Sequence, residues 1–330
     1  MLDWLQLNLL ELASNITDAN KRIFALYLAS STLIAIAVYL FTLSSPRQNG
    51  VIKYLFNKKV WLHKSAQADY QLMLLNKFIK ALLIVPFLFA AAPIAINTNI
   101  FISELFELSS KPVVGSQMAI WVFTLVLFLL DDFSRFLLHM LLHKIPLLWR
   151  FHQIHHSAEV LTPLTIYRSH PIENLLYAMR MTLVQGLAIG ICMSMYGPFL
   201  TMLDILGANA FVFIFNLVGA NLRHSHVWWS WGKLEHIFIS PAQHQLHHGK
   251  QVQYYDCNFG TALAIWDKLF LSLRLASKKR PYKLSFGIEN KQKNPHSLLN
   301  LYFSPFIVRP VKNAVTLTND KKSIHLENSK

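Results

Sequence analysis

From Ile23 to Leu43 the chain runs 21 residues without a charged side chain. A helix of that length crosses the roughly 30 Å hydrocarbon core of a bilayer. In lipid the backbone must satisfy its own hydrogen bonds, and an apolar run of this kind does so as a helix. Further runs follow at Ala81–Ile102, with Pro86 and Pro93 inside it, and at Met118–Leu130, which ends on Asp131 and Asp132. Leu175–Leu222 is interrupted by Arg180 and Asp204 and is long enough for two spans, with a turn near Gly197-Pro198. The pattern predicts an all-α integral membrane protein with about four to five transmembrane helices. Charged residues make up 15% of the chain, against about 25% in an ordinary soluble domain.

Lys and Arg set the expected orientation, because positive residues stay cytoplasmic. Ser44–Phe78 holds Arg47, Lys53, Lys58, Lys59, Lys64 and Lys77, whereas Ser103–Gln117 holds Lys111. With five spans, Ser44–Phe78, the region His139–His170 and everything after Leu222 share the cytoplasmic side. Lys21-Arg22 counts mildly against this. The net charge of +14 is read as attraction to anionic headgroups, with no nucleic-acid partner. The start has neither a basic segment nor a small-residue cleavage pattern, so no signal peptide is expected. "LDWLQLNLLELASNI" is amphipathic and either lies on the membrane or packs as a short helix. Cys192 and Cys257 form no spaced pair, which speaks against a disulfide framework or a thiolate metal site. The polar tail from Asn313 is expected to be disordered.

The chain has 15 histidines, and most are clustered. His139 and His143 stand four apart in "HMLLH". "HQIHH" gives His152, His155 and His156; "HQLHH" gives His244, His247 and His248. His224 and His226 fall in "RHSHVWW". Positions three and four apart share one helix face, so each motif aims its imidazoles together. One tetrahedral ion needs about four ligands; eight or more imidazoles imply two metals. His63, His236, His296 and His325 read as ordinary surface or packing residues. No HExxH is present, which leaves a zinc protease of that type unsupported. A histidine-lined transporter would need ligands buried in mid-membrane, and these sit near one end. Asp132, Arg135, His139 and His143 line one helix face. Metal-bound histidines hand their second N–H to a carboxylate or carbonyl; Asp132, Glu173 and Asp256 are candidates. Asp131 is read as an i,i+4 partner of Arg135.

At these residues the chain resembles the fatty acid hydroxylase/sterol desaturase superfamily. "DDFSRFLLHMLLHKIPLLWRFHQIHHSAEVLTPLTIYRSHPIE" resembles its first half through HxxxH, HxxHH and RxHPxE. "LRHSHVWWSWGKLEHIFISPAQHQLHH" resembles its second half, and "YYDCNFGTALAIWDKLF" its D-x-N-[YF]-G segment, with Asn258 as a further supporting residue. The likeness covers about Met118–Phe306. It divides the chain into 1–117 (amphipathic segment and first two spans), 118–306 (catalytic domain) and 307–330 (tail).

The resemblance implies a non-haem di-iron enzyme in a cytoplasmic helical cap, using O2 and two electrons to hydroxylate or desaturate a lipid C–H bond. Zinc can stand in for iron in purified protein. The implied ligands are His139, His143, His152, His155, His156, His224, His244, His247 and His248, with His170 a less certain tenth. Many bacterial members have Asn where this chain has His226, which leaves that residue open as ligand, second-shell donor or bystander. A separate electron donor of cytochrome b5, ferredoxin or flavin-reductase type is expected. The competing readings are a silent metal-binding or transport protein on the same scaffold and a zinc-dependent lipid hydrolase.

Overall fold

The computed structural model describes residues 13–41, 50–80, 91–108, 117–198, 200–288 and 294–307. Most of the amphipathic start, the first half of the Ala81–Ile102 run and the tail from Asn313 lie outside them. The described residues are mostly helical. The principal helices are α1 (Ala25–Phe41), α2 (Lys64–Ile79), α3 (Ala91–Leu105), α4 (Gln117–Lys144), α5 (Pro146–His156), α6 (Pro171–Tyr196), α7 (Ala210–Leu217), α8 (Pro241–His247), α9 (Ile265–Leu269) and α10 (Leu298–Phe303). Strands β1 (Asp204–Ile205) and β2 (Ala208–Asn209) pair antiparallel.

Proline sets three of the helix starts that matter for the site. It is tolerated at the first helical position, where its missing N–H would have no partner. Pro146 opens α5 behind Ile145, Pro171 opens α6 behind His170, and Pro241 opens α8 behind Ser240. Ser240 and Gln243 also cap α8 reciprocally. The break at Ile145-Pro146 lets α5 turn back beside α4, so that "HMLLH" and "HQIHH" meet.

Among the described residues, α6 is the helix long and apolar enough to cross a membrane. Its 26 residues rise about 39 Å at 1.5 Å per residue. α1 is apolar but has 17 residues. α4 has 28, with Asp131, Asp132, Arg135 and Lys144 in its second half. The expected pair of spans in Leu175–Leu222 is corrected. After α6 stops at Gly197, in the left-handed region at φ 84°, the chain makes the β1–β2 turn and the eight-residue α7, about 12 Å long. Outward-facing Leu33, Phe101, Trp121, Leu183 and Ile214 leave apolar surface on α1, α3, α4, α6 and α7. Apolar exposure on that scale marks an interaction surface, and these are the helices that arise from the apolar runs.

α3 and α6 pack at backbone distance through "GLAIG", a small-xxx-small pattern that permits close helix approach. A Cβ on Gly186 would lie 2.5 Å from the Ile94 Cβ; one on Gly190 would lie 2.5 Å from the Thr98 Cβ and 2.6 Å from the Ala95 carbonyl oxygen. Backbone cannot yield as a side-chain tip can. Gly190→Val is therefore expected to cost more than about 2 kcal/mol by overpacking, read as a lower melting temperature and lower yield of monodisperse protein in detergent. A wild-type melting curve would refute the close packing.

Candidate dimetal centre

Four pieces of chain converge. α4 supplies His139 and His143, one turn apart. α5 supplies His152, His155 and His156. A 3-10 turn at Ala220–His224 supplies His224, and α8 with its C-cap supplies His244, His247 and His248. Their ring nitrogens fall into two groups whose members lie within 4.8 Å of one another: His139, His143, His152, His156 and His247, and His155, His224, His244 and His248. Each group could hold a metal ion.

The duplication of the pentapeptide has a geometric meaning. "HQIHH" gives its i,i+4 pair, His152 and His156, to the first group and His155 to the second. "HQLHH" does the reverse, giving His244 and His248 to the second group and His247 to the first. One ring on a different stripe of the same short helix reaches across to the neighbouring group. The groups adjoin where the His156 and His248 rings stack with centroids 4.5 Å apart.

For His139, His247 and His155 the outer nitrogen settles the tautomer. A carbonyl oxygen can only accept, so a ring nitrogen bonded to one must carry the proton. His139 Nδ1 donates to the Phe259 carbonyl at 2.8 Å, His247 Nδ1 to the Cys257 carbonyl at 2.7 Å and His155 Nδ1 to the Arg168 carbonyl at 3.3 Å. His152 Nδ1 lies 2.9 Å from the Glu173 carboxylate. In the neutral ring each leaves an Nε2 lone pair facing inward. His152 Nε2 and His247 Nε2 are buried without a hydrogen-bond partner. Nε2 of His143 and His156 lie 3.1 Å apart, and His224 Nε2 lies 3.0 to 3.2 Å from those of His244, His248 and His155. Facing lone pairs at such distances repel unless a cation or proton sits among them, so the residues present fit a metal-holding role. Burial holds the rings neutral: it pushes His155 down to about 3, and lowers His244, His247 and His248 well below the ordinary histidine value.

Of the expected supporting residues, Glu173 touches a cluster histidine directly. Asp132 acts one step further out: its carboxylate accepts from the Ala262 and Leu263 N–H groups and from Trp266 Nε1. It thereby anchors the loop whose Phe259 carbonyl orients His139. Asp256 lies 3.7 Å from His143 Nδ1 and pairs with Lys144 at 2.7 Å. Asn258 bonds the backbone of Gln243 and Arg274 and no histidine. His170 belongs to neither group. Its Nδ1 accepts from the Ile172 N–H as the N-cap of α6, and its Nε2 donates to the Tyr302 carbonyl. His226 also stands apart, donating from Nε2 to the Tyr54 carbonyl at 2.7 Å.

Sequence reading missed four buried charges. Asp267 accepts from the Phe259 and Gly260 N–H groups. Glu235 accepts from the Trp231 and Ala276 N–H groups and the Ser240 hydroxyl, bracing the start of α8. Asp69 and Arg168 form a fully buried ion pair at 3.0 Å. Arg168 also donates to the Ile154 carbonyl and the Ser157 hydroxyl at the end of α5.

The family model for fatty acid hydroxylases matches residues 124–272, which hold all nine clustered histidines. This part of the chain is similar to the fatty acid hydroxylase family. Similar curated proteins are the alkylglycerol monooxygenase of Homo sapiens, 30% identical over 161 residues (49% of this chain, 33% of that protein), and that of Caenorhabditis elegans, 30% over 150 residues (46% and 26%). The ornithine lipid hydroxylase of Rhizobium tropici is 31% identical over 162 residues, 48% of this chain and 44% of that protein. The matched stretch thus spans less than half the length of these relatives. No solved structure matches the chain. Within the matched segment, stretches 257–259 and 168, whose carbonyls accept from the histidines, flank the boxes themselves.

Two cavities reach the cluster. One, of about 360 Å³, lies between the histidines and the apolar helices, with Phe128, Tyr177, Phe215, His139, His152 and His244 in its wall. The other, of about 340 Å³, opens on the loop side past Trp149, Tyr255 and Asp256 to His143, His156, His247 and His248. Glu173→Gln keeps an oxygen that can accept from His152 but removes the carboxyl group that a bound cation would draw into its ionised form. Metal affinity is expected to fall about 10- to 100-fold, the usual effect of losing an outer-shell partner, as read by chelator competition. Unchanged affinity would reduce Glu173 to a capping group of α6.

Proposed function

We propose that this chain is a membrane-bound non-haem di-iron oxygenase that hydroxylates a C–H bond of a lipid. One atom of O2 enters the C–H bond; the other leaves as water with two protons and two electrons. The observation carrying the reading is the division of nine inward-facing histidines into adjoining groups of five and four. Imidazole alone suits iron, copper, nickel or zinc. The names of the similar proteins, a monooxygenase and a hydroxylase acting on lipids, favour iron.

When bound, a pair of iron ions would supply the redox chemistry that activates O2. His139, His143, His152, His156 and His247 would hold one ion; His155, His224, His244 and His248 would hold the other. The carbonyls of Phe259, Cys257 and Arg168 and the Glu173 carboxylate keep Nδ1 protons turned outward. The Nε2 lone pairs are thereby aimed in advance, which limits reorganisation on loading. Neutral imidazoles add no charge; the buried Glu173 carboxyl, whose ionised form a bound cation would favour, gives partial compensation. The cavity beside α4, α6 and α7 admits lipid from the bilayer side, where Phe128 and Phe215 exclude water from the reacting carbon. The loop-side cavity gives a separate donor protein, of cytochrome b5, ferredoxin or flavin-reductase type, an approach from the cytoplasm.

Elemental analysis of detergent-purified full-length protein, expressed with iron supplied, is expected to show one iron per histidine group and lipid-dependent O2 consumption on reduction. Stoichiometric zinc with O2-independent lipid cleavage would replace the oxygenase reading with the hydrolase. Absence of any metal would favour a silent scaffold.

A further inference from the structure

The cavity on the helix side narrows the choice of headgroup, and the inference rests on the oxygenase reading. Arg22, just before α1, and Arg135, on α4, line the same cavity as His139, His152 and His244. Arg135 is paired: its Nε donates to Asp131 at 2.8 Å, but Asp131 is shared with Arg180 at 2.9 Å. Arg22 has no carboxylate within ion-pair distance among the described residues. It donates instead to the Asn216 side-chain oxygen and, at 3.4 Å, to the Ala220 carbonyl. The charge that acts on it most strongly is another cation, Arg135, although Asp131, Asp132 and Glu173 also line the cavity. Partial burial and then the Arg135 charge pull the Arg22 guanidinium down to about 10.

Two guanidiniums sharing a sheltered wall repel one another, and the repulsion is relieved by an anion between them. Each carries five N–H donors and no acceptor; among the described residues Arg22 donates to Asn216 and Ala220 and Arg135 to Asp131. The planar fork matches carboxylate and phosphate oxygens. We propose that Arg22 and Arg135 bind the anionic headgroup of the lipid substrate, a phosphate or a carboxylate.

The placement also fixes where on the lipid the oxygen goes. Arg135 and His139 share one face of α4, one turn apart, a rise of about 6 Å. A headgroup held at Arg135 therefore presents carbons a few bonds away to the histidine cluster, and the distal tail extends past Phe128, Val212 and Phe215. The hydroxyl is expected near the headgroup, not at the chain end.

The test uses the full-length, iron-supplied protein in detergent and three short-chain lipids with matched tails: a phosphatidic acid, a free fatty acid and a neutral diacylglycerol. At least one anionic lipid is expected to bind about tenfold or more tighter than the diacylglycerol, because hydrogen bonds between charged partners are stronger than neutral ones. That advantage should shrink with salt, largely vanish in Arg22→Gln and partly return in Arg22→Lys, with metal content unchanged. Tight phosphatidic acid alone assigns the site to phosphate, and tight fatty acid alone to carboxylate. Equal binding of all three lipids to the wild-type chain overturns the proposal, without any variant having to fold. The two readings fail separately. Zinc and O2-independent turnover with the anionic preference intact would sink the oxygenase alone. Iron and O2-dependent hydroxylation of diacylglycerol, with no anionic preference, would sink the headgroup assignment alone.

Discussion

His247→Ala is expected to lose metal from the five-histidine group and to lower O2-dependent turnover by at least about a hundredfold, the upper end of what a mere outer-shell loss costs. His247 is the ring that α8 sends across to the group built mainly by α4 and α5. Its Nε2 is buried and unpartnered, and its Nδ1 donates to the Cys257 carbonyl at 2.7 Å. The variant also leaves that carbonyl without its donor, a cost of about 1–3 kcal/mol, so folding should weaken but survive. Iron per chain and O2 consumption are the readouts, with far-ultraviolet circular dichroism as the folding control. A folded variant with full iron and full turnover would refute the ligand assignment.

The second large effect is on stability. Asp69→Ala is expected to destabilise the fold by about 3–5 kcal/mol, because it strands a buried guanidinium without its counter-ion. Arg168 and Asp69 are both fully buried, and the Asp69 carboxylate also accepts from the Thr165 hydroxyl at 2.7 Å. Arg168 braces the end of α5 through the Ile154 carbonyl and Ser157, and its own carbonyl orients His155. The loss should therefore appear as a lower melting temperature together with weaker metal retention. Adding Arg168→Leu should recover part of the stability, since removing both charges costs less than removing one. A single variant that melts like the wild type would show that the pair contributes nothing.

The histidines were legible because metal chemistry needs one residue type at helical spacing, and that survives in one dimension. Glu173 was legible for the same reason, as a carboxylate beside a box. Asp267 and Glu235 were not: a carboxylate that fastens a distant backbone N–H carries no spacing signal. Arg168 stood in the RxHPxE element, but its buried partner Asp69 lies far upstream and nothing in the spacing links the two. The resemblance of "RSHPIE" to the family element made His170 a less certain tenth ligand; in the structure it caps the start of α6. Leu175–Leu222 looked like two spans because apolar residues read alike in a long helix and in a short one followed by a turn. Gly186 and Gly190 show what composition hides, since their meaning lies in the helix opposite.

The two cavities are lined by different histidines, and this has a kinetic consequence in the proposed reaction. Filling the helix-side chamber does not obstruct the loop-side one. Loading of lipid and delivery of electrons can then proceed in either order, and initial-rate plots against the two should intersect instead of running parallel. The same openness carries a hazard: if the electron donor docked before the lipid arrived, its electrons would be spent on O2 unproductively. Coupling between O2 consumed and product formed should accordingly fall as lipid becomes scarce.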